Sequence, residues 1–522
     1  MLIQKEIRMS TKTEIILPDK LEAGAVIPQC LDNQFVPDNI FSYMVDKKVS
    51  YSDEHVQSSR TEATRTEMNR ALVYAPQTVI NRAFLWNNRV LYSSYKDEKD
   101  NQNNRQAFIK FIKDQTIVPY LYDKSSIEDE PDFDLDEDGV RTFKSLLRDV
   151  DKVRCVRFAV DDNKNKSAIQ LMTQKFHEYF LGFIARPVSL LKQTADGLLP
   201  GRDSNERREK VDLLTSELNA WKRQLHDVVL TQIDKKGTAT RNDFYQEFVC
   251  RKDIPNSIPQ GYFLDPATSP FLLEKKKLFD LRYNINLADS LRRYVFTPSD
   301  MPMRSALAVD VDLGAGKGNE MIDILSDNIR HTFVEGTQQA LNLPFLKDLE
   351  IQDIYELRLL PGWGEYIRVQ REVLEKPLES LQHLDAFTKA LETYNIQMAD
   401  WYHKQKRLPV REQKYRMIVR MAIKVAGVWI AHNLTGNFYT AALAALIDLP
   451  DSALGYTVSL LVDFISSDRA EVDRQLGYSL DIVNYEANVT KSSLVQLVSK
   501  AKEAFKKESP PIVKDLANQS KS

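Results

Sequence analysis

Between Val211 and Val228 the apolar residues fall at alternating steps of three and four: Val211, Leu214, Leu218, Trp221, Leu225 and Val228. At about 3.6 residues per turn that spacing places all six on one helical seam. The stretch "DSNERREKVDLLTSELNAWKRQLHDVVLTQID" is charged elsewhere, and Asp203 followed three positions later by Glu206 has the pattern of a capping box at its start. The seam therefore predicts a long amphipathic helix laid against a neighbour in the same chain. A coiled-coil dimer is the alternative, although fewer than four heptads are present.

Composition extends that preference to the rest of the chain. Only 17 of 522 residues are glycine, too few for a fold built from many tight turns, and the abundant Leu, Lys, Glu, Gln and Ala favour helices. The first 160 residues are different. "ALVYAPQTVINRAFLW", "TIVPYLY" and "RCVRFAV" carry the β-branched and aromatic residues of strands, while "NRQAFIKFIKDQ" has helical spacing. The expected fold class is mainly α with a mixed α+β N-terminal module and multi-helix packing in the central and C-terminal regions.

The expected organisation is an α+β module over 1–160, a helical region with the heptad-like seam over 161–250, and a proline-rich connection over 251–305. Residues 306–507 are expected to form a helical domain with an apolar hairpin, and 508–522 a flexible tail. The connection is placed where "RKDIPNSIPQGYFLDPATSPF" and "TPSDMPM" concentrate proline, which punctuates helices rather than propagating them. Beyond it "LEIQDIYELR" and "WGEYIRVQREVLEKP" have amphipathic helical spacing.

A net charge of -3 gives no global attraction to nucleic acid or anionic lipid. The three cysteines, Cys30, Cys155 and Cys250, lie far apart without Cys-x-x-Cys spacing, which speaks against a disulfide framework and a zinc finger. Charges break every apolar run of the first twenty residues, so no signal-peptide core is read there and the cytosol is the expected compartment.

Three segments could carry chemistry. In "VDVDLGAGKGNE" the run Asp312, Gly314, Gly316 and Gly318 resembles the first motif of class I S-adenosylmethionine-dependent methyltransferases. That resemblance implies a strand, a cofactor turn and a helix, with Glu335 binding the ribose. Against this, Met321, Leu325, Ile329 and Phe333 continue at helical spacing with no glycine or proline before Glu335, the pattern of a structural turn before one long helix.

In "DLDEDGVRTFKS", Asp134, Asp136, Asp138 and Gly139 match the opening of a calcium loop, but Ser145 stands where a bidentate Glu is needed. An acidic surface loop is the expected outcome.

Residues 404–424 carry eight Lys or Arg against Glu412, and 425–447 then run uncharged. Within that run His432, Asn433, Asn437 and Thr440, with Gly436, share one helical face, and a polar stripe needs partners or water. A core hairpin over 425–466 is expected, with membrane action or nucleic-acid binding through 404–424 as alternatives. The leading functional expectation is a helical intracellular protein acting through a protein partner or self-association, with catalytic residues and cofactors unknown.

Overall fold

The computed structural model describes residues 15–16, 21–81, 88–95, 102–121, 156–158, 176–199, 205–291, 293–298, 301, 330–331, 333–334, 337, 344–376 and 380–406. The chain divides into two units, and every element below belongs to the first, Met1–Val311 with Phe333–Ile423. The second contributes only Arg330 and His331 to the described residues.

The described part is mainly helical around one small sheet, as expected from the sequence. Six strands are present: β1 Ile15–Ile16, β2 Val26–Pro28, β3 Thr78–Asn81, β4 Ile117–Leu121, β5 Val156–Phe158 and β6 Tyr294–Phe296. Their spatial order is β1-β5-β4-β3-β2-β6, and all neighbours are parallel except the edge pair β1 and β5. Chain order thus runs outward from β2 through β3 and β4 to β5, then returns to place β6 on the other side of β2.

Between β2 and β3 lie α1 (Asp38–Lys47) and α2 (Glu54–Tyr74), and between β3 and β4 lie α3 (Arg89–Tyr95) and α4 (Gln102–Lys113). Helices cover both faces of the sheet. Ile27 packs into the larger apolar cluster with Val79, Val118 and Phe279, whereas its neighbour Val26 points into a second cluster with Ala71, Ala75 and Phe296. That opposition follows from the two-residue period of a strand.

The segment "ALVYAPQTVINRAFLW" is only partly a strand. Ala71–Tyr74 form the last turn of α2, and the described strand in the segment is Thr78–Asn81. Asp53 starts this helix by accepting a bond from the Val56 N–H at 3.1 Å. The helix stops at Ala75 because the next residue is Pro76, and the residue before a proline is driven out of the α region.

A helical layer follows: α5 over 176–185, α6 Val188–Leu198, α7 Asn205–Lys236, α8 Arg241–Phe248, α9 Ser257–Gln260 and α10 Leu272–Ser290. The seam lies on α7. Val211, Leu214, Leu218, Trp221 and Leu225 are buried and Val228 packs partly buried against the same cluster, so the seam is consumed within the chain. Asp203, its expected cap, lies outside the described residues. Trp221 meets Phe183, Phe248 and Phe279 at centroid separations of 5.1–6.5 Å, which joins α5, α7, α8 and α10 into one aromatic core.

Residues 251–305, read as a connection, hold both α10 and β6. The prolines that suggested a connection lie at 255, 259, 266, 270, 298 and 302, leaving 271–297 free of them. They frame the helix and strand instead of interrupting them.

Beyond β6, helices α11 (Ile351–Leu357), α12 (Pro361–Glu375) and α13 (Ser380–Lys406) include both amphipathic segments singled out from the sequence. They close over the end of α2. Arg358 donates to the carbonyls of Leu72, Ala75 and Pro76 at 2.5–2.7 Å, while Trp363 Nε1 and Tyr394 Oη donate to that of Val73. These bonds satisfy the carbonyls that a helix leaves open at its C-terminus. Among the described residues no helix is long and apolar enough to cross a membrane.

Candidate functional site

In an open parallel sheet, ligands bind outside the carboxyl ends of the strands where the strand order reverses. Here the reversal falls between β2 and β6, and the turn after β2 lies at that point. It reads Gln29, Cys30, Leu31 as one turn of 3-10 helix, then Asp32.

Asp32 is buried, and its carboxylate is fully engaged. Oδ1 accepts from the Gln34 N–H at 3.0 Å and from Arg241 Nη2 at 3.1 Å; Oδ2 accepts from Arg241 Nη1 at 2.6 Å and Asn284 Nδ2 at 3.0 Å. Arg241 opens α8, whose start is fixed by Asp243 accepting from the Thr240 N–H at 2.6 Å and from Lys236 Nζ at 2.7 Å. The guanidinium lies 3.9 Å from the ring centroid of Tyr283 and also reaches Asp280 Oδ1 at 3.3 Å. Asp280 in turn accepts from the Tyr245 hydroxyl and from Lys276 Nζ at 2.7 Å.

Two carboxylates face two cations, so the cluster is formally neutral. Burial raises the Asp32 carboxyl, but the charge and bonds of Arg241 outweigh it and hold the group below its ordinary 3.8. Burial and the adjacent Asp280 push the Tyr245 phenol well above its ordinary 10. Both groups are moved away from neutrality, whereas general acid–base work needs a value near the working pH. The network is built to join β2 to α8 and α10.

Three consecutive lysines make α10 the hub of this arrangement. At about 100° per residue they point in three directions. Lys275 meets Glu217 on α7 at 2.6 Å, Lys276 meets Asp280 and the Gln34 carbonyl at 2.7 Å each, and Lys277 meets Asp38 on α1 at 2.5 Å. Each ammonium is buried against a different element.

The two described cysteines are buried free thiols. Burial, with Glu67 nearby, raises Cys30 well above its ordinary value, and burial pushes Cys250 up to about 12. Neither is a ready thiolate at neutral pH.

Beside the network a cleft opens against α10, lined by Pro28, Leu31, Ile80, Tyr120, Tyr283 and Asn284 among others. The space in it open to water is about 30 Å³, room for a water or two. Within the turn that forms its wall, Gln29 is 1% exposed, and its Nε2 and Oε1 are both without a hydrogen-bond partner.

The candidate site residues singled out from the sequence fall outside the described residues: Asp312, Gly314, Gly316, Gly318 and Glu335, Asp134, Asp136 and Asp138, and the stripe His432, Asn433, Asn437 and Thr440. Of the basic run 404–424 only residues 404–406, the end of α13, are described. Among the described residues no group of His, Cys, Asp and Glu could hold a metal ion. The network itself was missed in the sequence, where "EKKKLFDLRYNIN" was its one local signal. Comparison with protein-family models, curated proteins and solved structures gave no match.

Proposed function

We propose that this is a cytosolic protein that works through protein contact, with a second copy of itself as the partner. The observation that carries the reading is the placement of exposed apolar side chains. Of the five large ones among the described residues, Leu181, Val188, Leu213 and Leu230 all fall on α5, α6 and α7. Val188 and Leu213 are 54% and 62% exposed. Lys192, one turn after Val188, pairs with Asp212, the neighbour of Leu213, at 2.7 Å, and Arg207 pairs with Asp196 at 2.5 Å. The order of these pairs makes α6 and α7 antiparallel neighbours, and exposed apolar side chains on neighbouring helices are the kind of exposure that marks contact sites.

Sedimentation equilibrium of the full chain tests this. The expected result is an average mass above the 60.1 kDa of one chain at micromolar concentration. Val188→Glu with Leu213→Glu should return it to that value without lowering the thermal midpoint, because exposed substitutions rarely alter stability by more than about 0.5 kcal/mol. A single-chain mass at every concentration, or assembly that survives both substitutions, contradicts the proposal.

A further inference from the structure

We propose that the second copy docks on the outer face of α7, with the two α7 helices antiparallel about a two-fold axis that crosses between Trp221 and Lys222. This rests on the self-association reading above and states which face meets which. The seam is buried within the chain, but α7 carries a second stripe. Leu213, Ser216, Ala220, Arg223, Asp227 and Leu230 follow one another at alternating steps of three and four, and all six are exposed. At about 100° per residue they fall on the side of the helix away from the seam. Their mean spacing of about 3.5 residues is the one at which two helices stay in contact along a shared face.

The stripe matches itself when turned end for end. Leu213 and Leu230, 62% and 43% exposed, stand equally far from its midpoint. A two-fold axis there seats Leu213 of each copy against Leu230 of the other, and a symmetric dimer requires a patch that is its own complement. Between the leucines, Ser216 comes level with Asp227 and Ala220 with Arg223. The short side chains of Ser216 and Ala220 let the helices approach, and the aliphatic stem of Arg223 can lie over Ala220. Beyond the leucines Glu209 comes level with Asp234, but each is followed by a lysine, Lys210 or Lys235, so neither end is of one sign.

A parallel pairing in register has the opposite character. It sets Arg223 level with Arg223 and Asp227 level with Asp227, and juxtaposed like charges oppose association. Antiparallel packing also places the positive end of each helix dipole beside the negative end of the other.

Disulfide trapping of the full chain tests the arrangement. Leu213→Cys and Leu230→Cys in one chain should give a covalent dimer on mild oxidation. Either substitution alone should give no more than the wild type with its three native cysteines. Leu213 and Leu230 are 17 residues apart, so in the antiparallel dimer like positions lie about 26 Å from each other along the helix. A disulfide needs Cα atoms within about 7 Å. Ser216→Cys with Asp227→Cys should trap the same dimer and serves if loss of the leucines weakens assembly. A dimer from either single leucine variant would mean parallel helices and overturn the proposal. Failure of both pairs overturns it too: if the wild type still sediments above the mass of one chain, the copies meet through another face, and if it does not, the self-association reading falls as well.

Discussion

The guanidinium of Arg241 grips the carboxylate of Asp32 at two points, 2.6 and 3.1 Å, across 209 residues of sequence. This bond ties the turn after β2 to the first residue of α8, and through Asp280 and Asn284 it reaches α10. Its partners sit in a buried network where each charge answers another.

Acid should weaken the protein through Asp32. Its folded carboxyl lies below the ordinary 3.8, so its contribution is complete above the unfolded value and is lost as pH falls through the lower folded one. Urea midpoints of the wild type should therefore drop on acidification below about pH 4. In Arg241→Met the buried carboxylate has lost its counter-charge, and protonating it relieves the cost. That variant should be more stable at pH 4.5 than at pH 7; a parallel pH profile for the two proteins would show that the pair does not control the titration.

Arg358 should be hard to replace. Its fork supplies donors to three carbonyls at the end of α2, even though burial lowers its own value to about 10. Arg358→Met leaves those carbonyls short of donors and should cost about 2–3 kcal/mol in chemical denaturation, with Arg358→Lys between it and wild type because one ammonium cannot span the same three acceptors. Equal stability of all three would remove the capping role.

On α7, Leu218 is fully buried in the seam. Leu218→Asp places an unpaired charge in packed apolar surroundings and should destabilise by several kcal/mol, read as a fall in thermal midpoint. An unchanged midpoint would mean that the seam is not a core element.

How much of this was readable depended on distance along the chain. The seam on α7 was legible because its information is local: six apolar residues at helical spacing. β4 and β5 were likewise visible in "TIVPYLY" and "RCVRFAV". "ALVY" misled because Val73 and Tyr74 are strand-favouring residues held in a helix by tertiary contacts from Tyr366, Tyr394 and Arg358. α10 was hidden by the prolines on either side of it. The site could not be read at all, since Asp32, Arg241 and Asp280 mean little until the chain brings them together. Lys276 and Asp280, four apart on one helix, were its only local trace.

A double-mutant cycle on Asp32 and Arg241 tests most directly whether this network is a structural clamp. Arg241→Met alone should cost about 3–5 kcal/mol in urea unfolding, the range for stranding a buried charge. Asp32→Asn should also destabilise, and adding it to Arg241→Met should restore part of the loss, giving a coupling energy of at least about 1 kcal/mol. Additive effects, with no recovery in the double variant, would contradict the claim that these two residues hold the sheet to the helical layer.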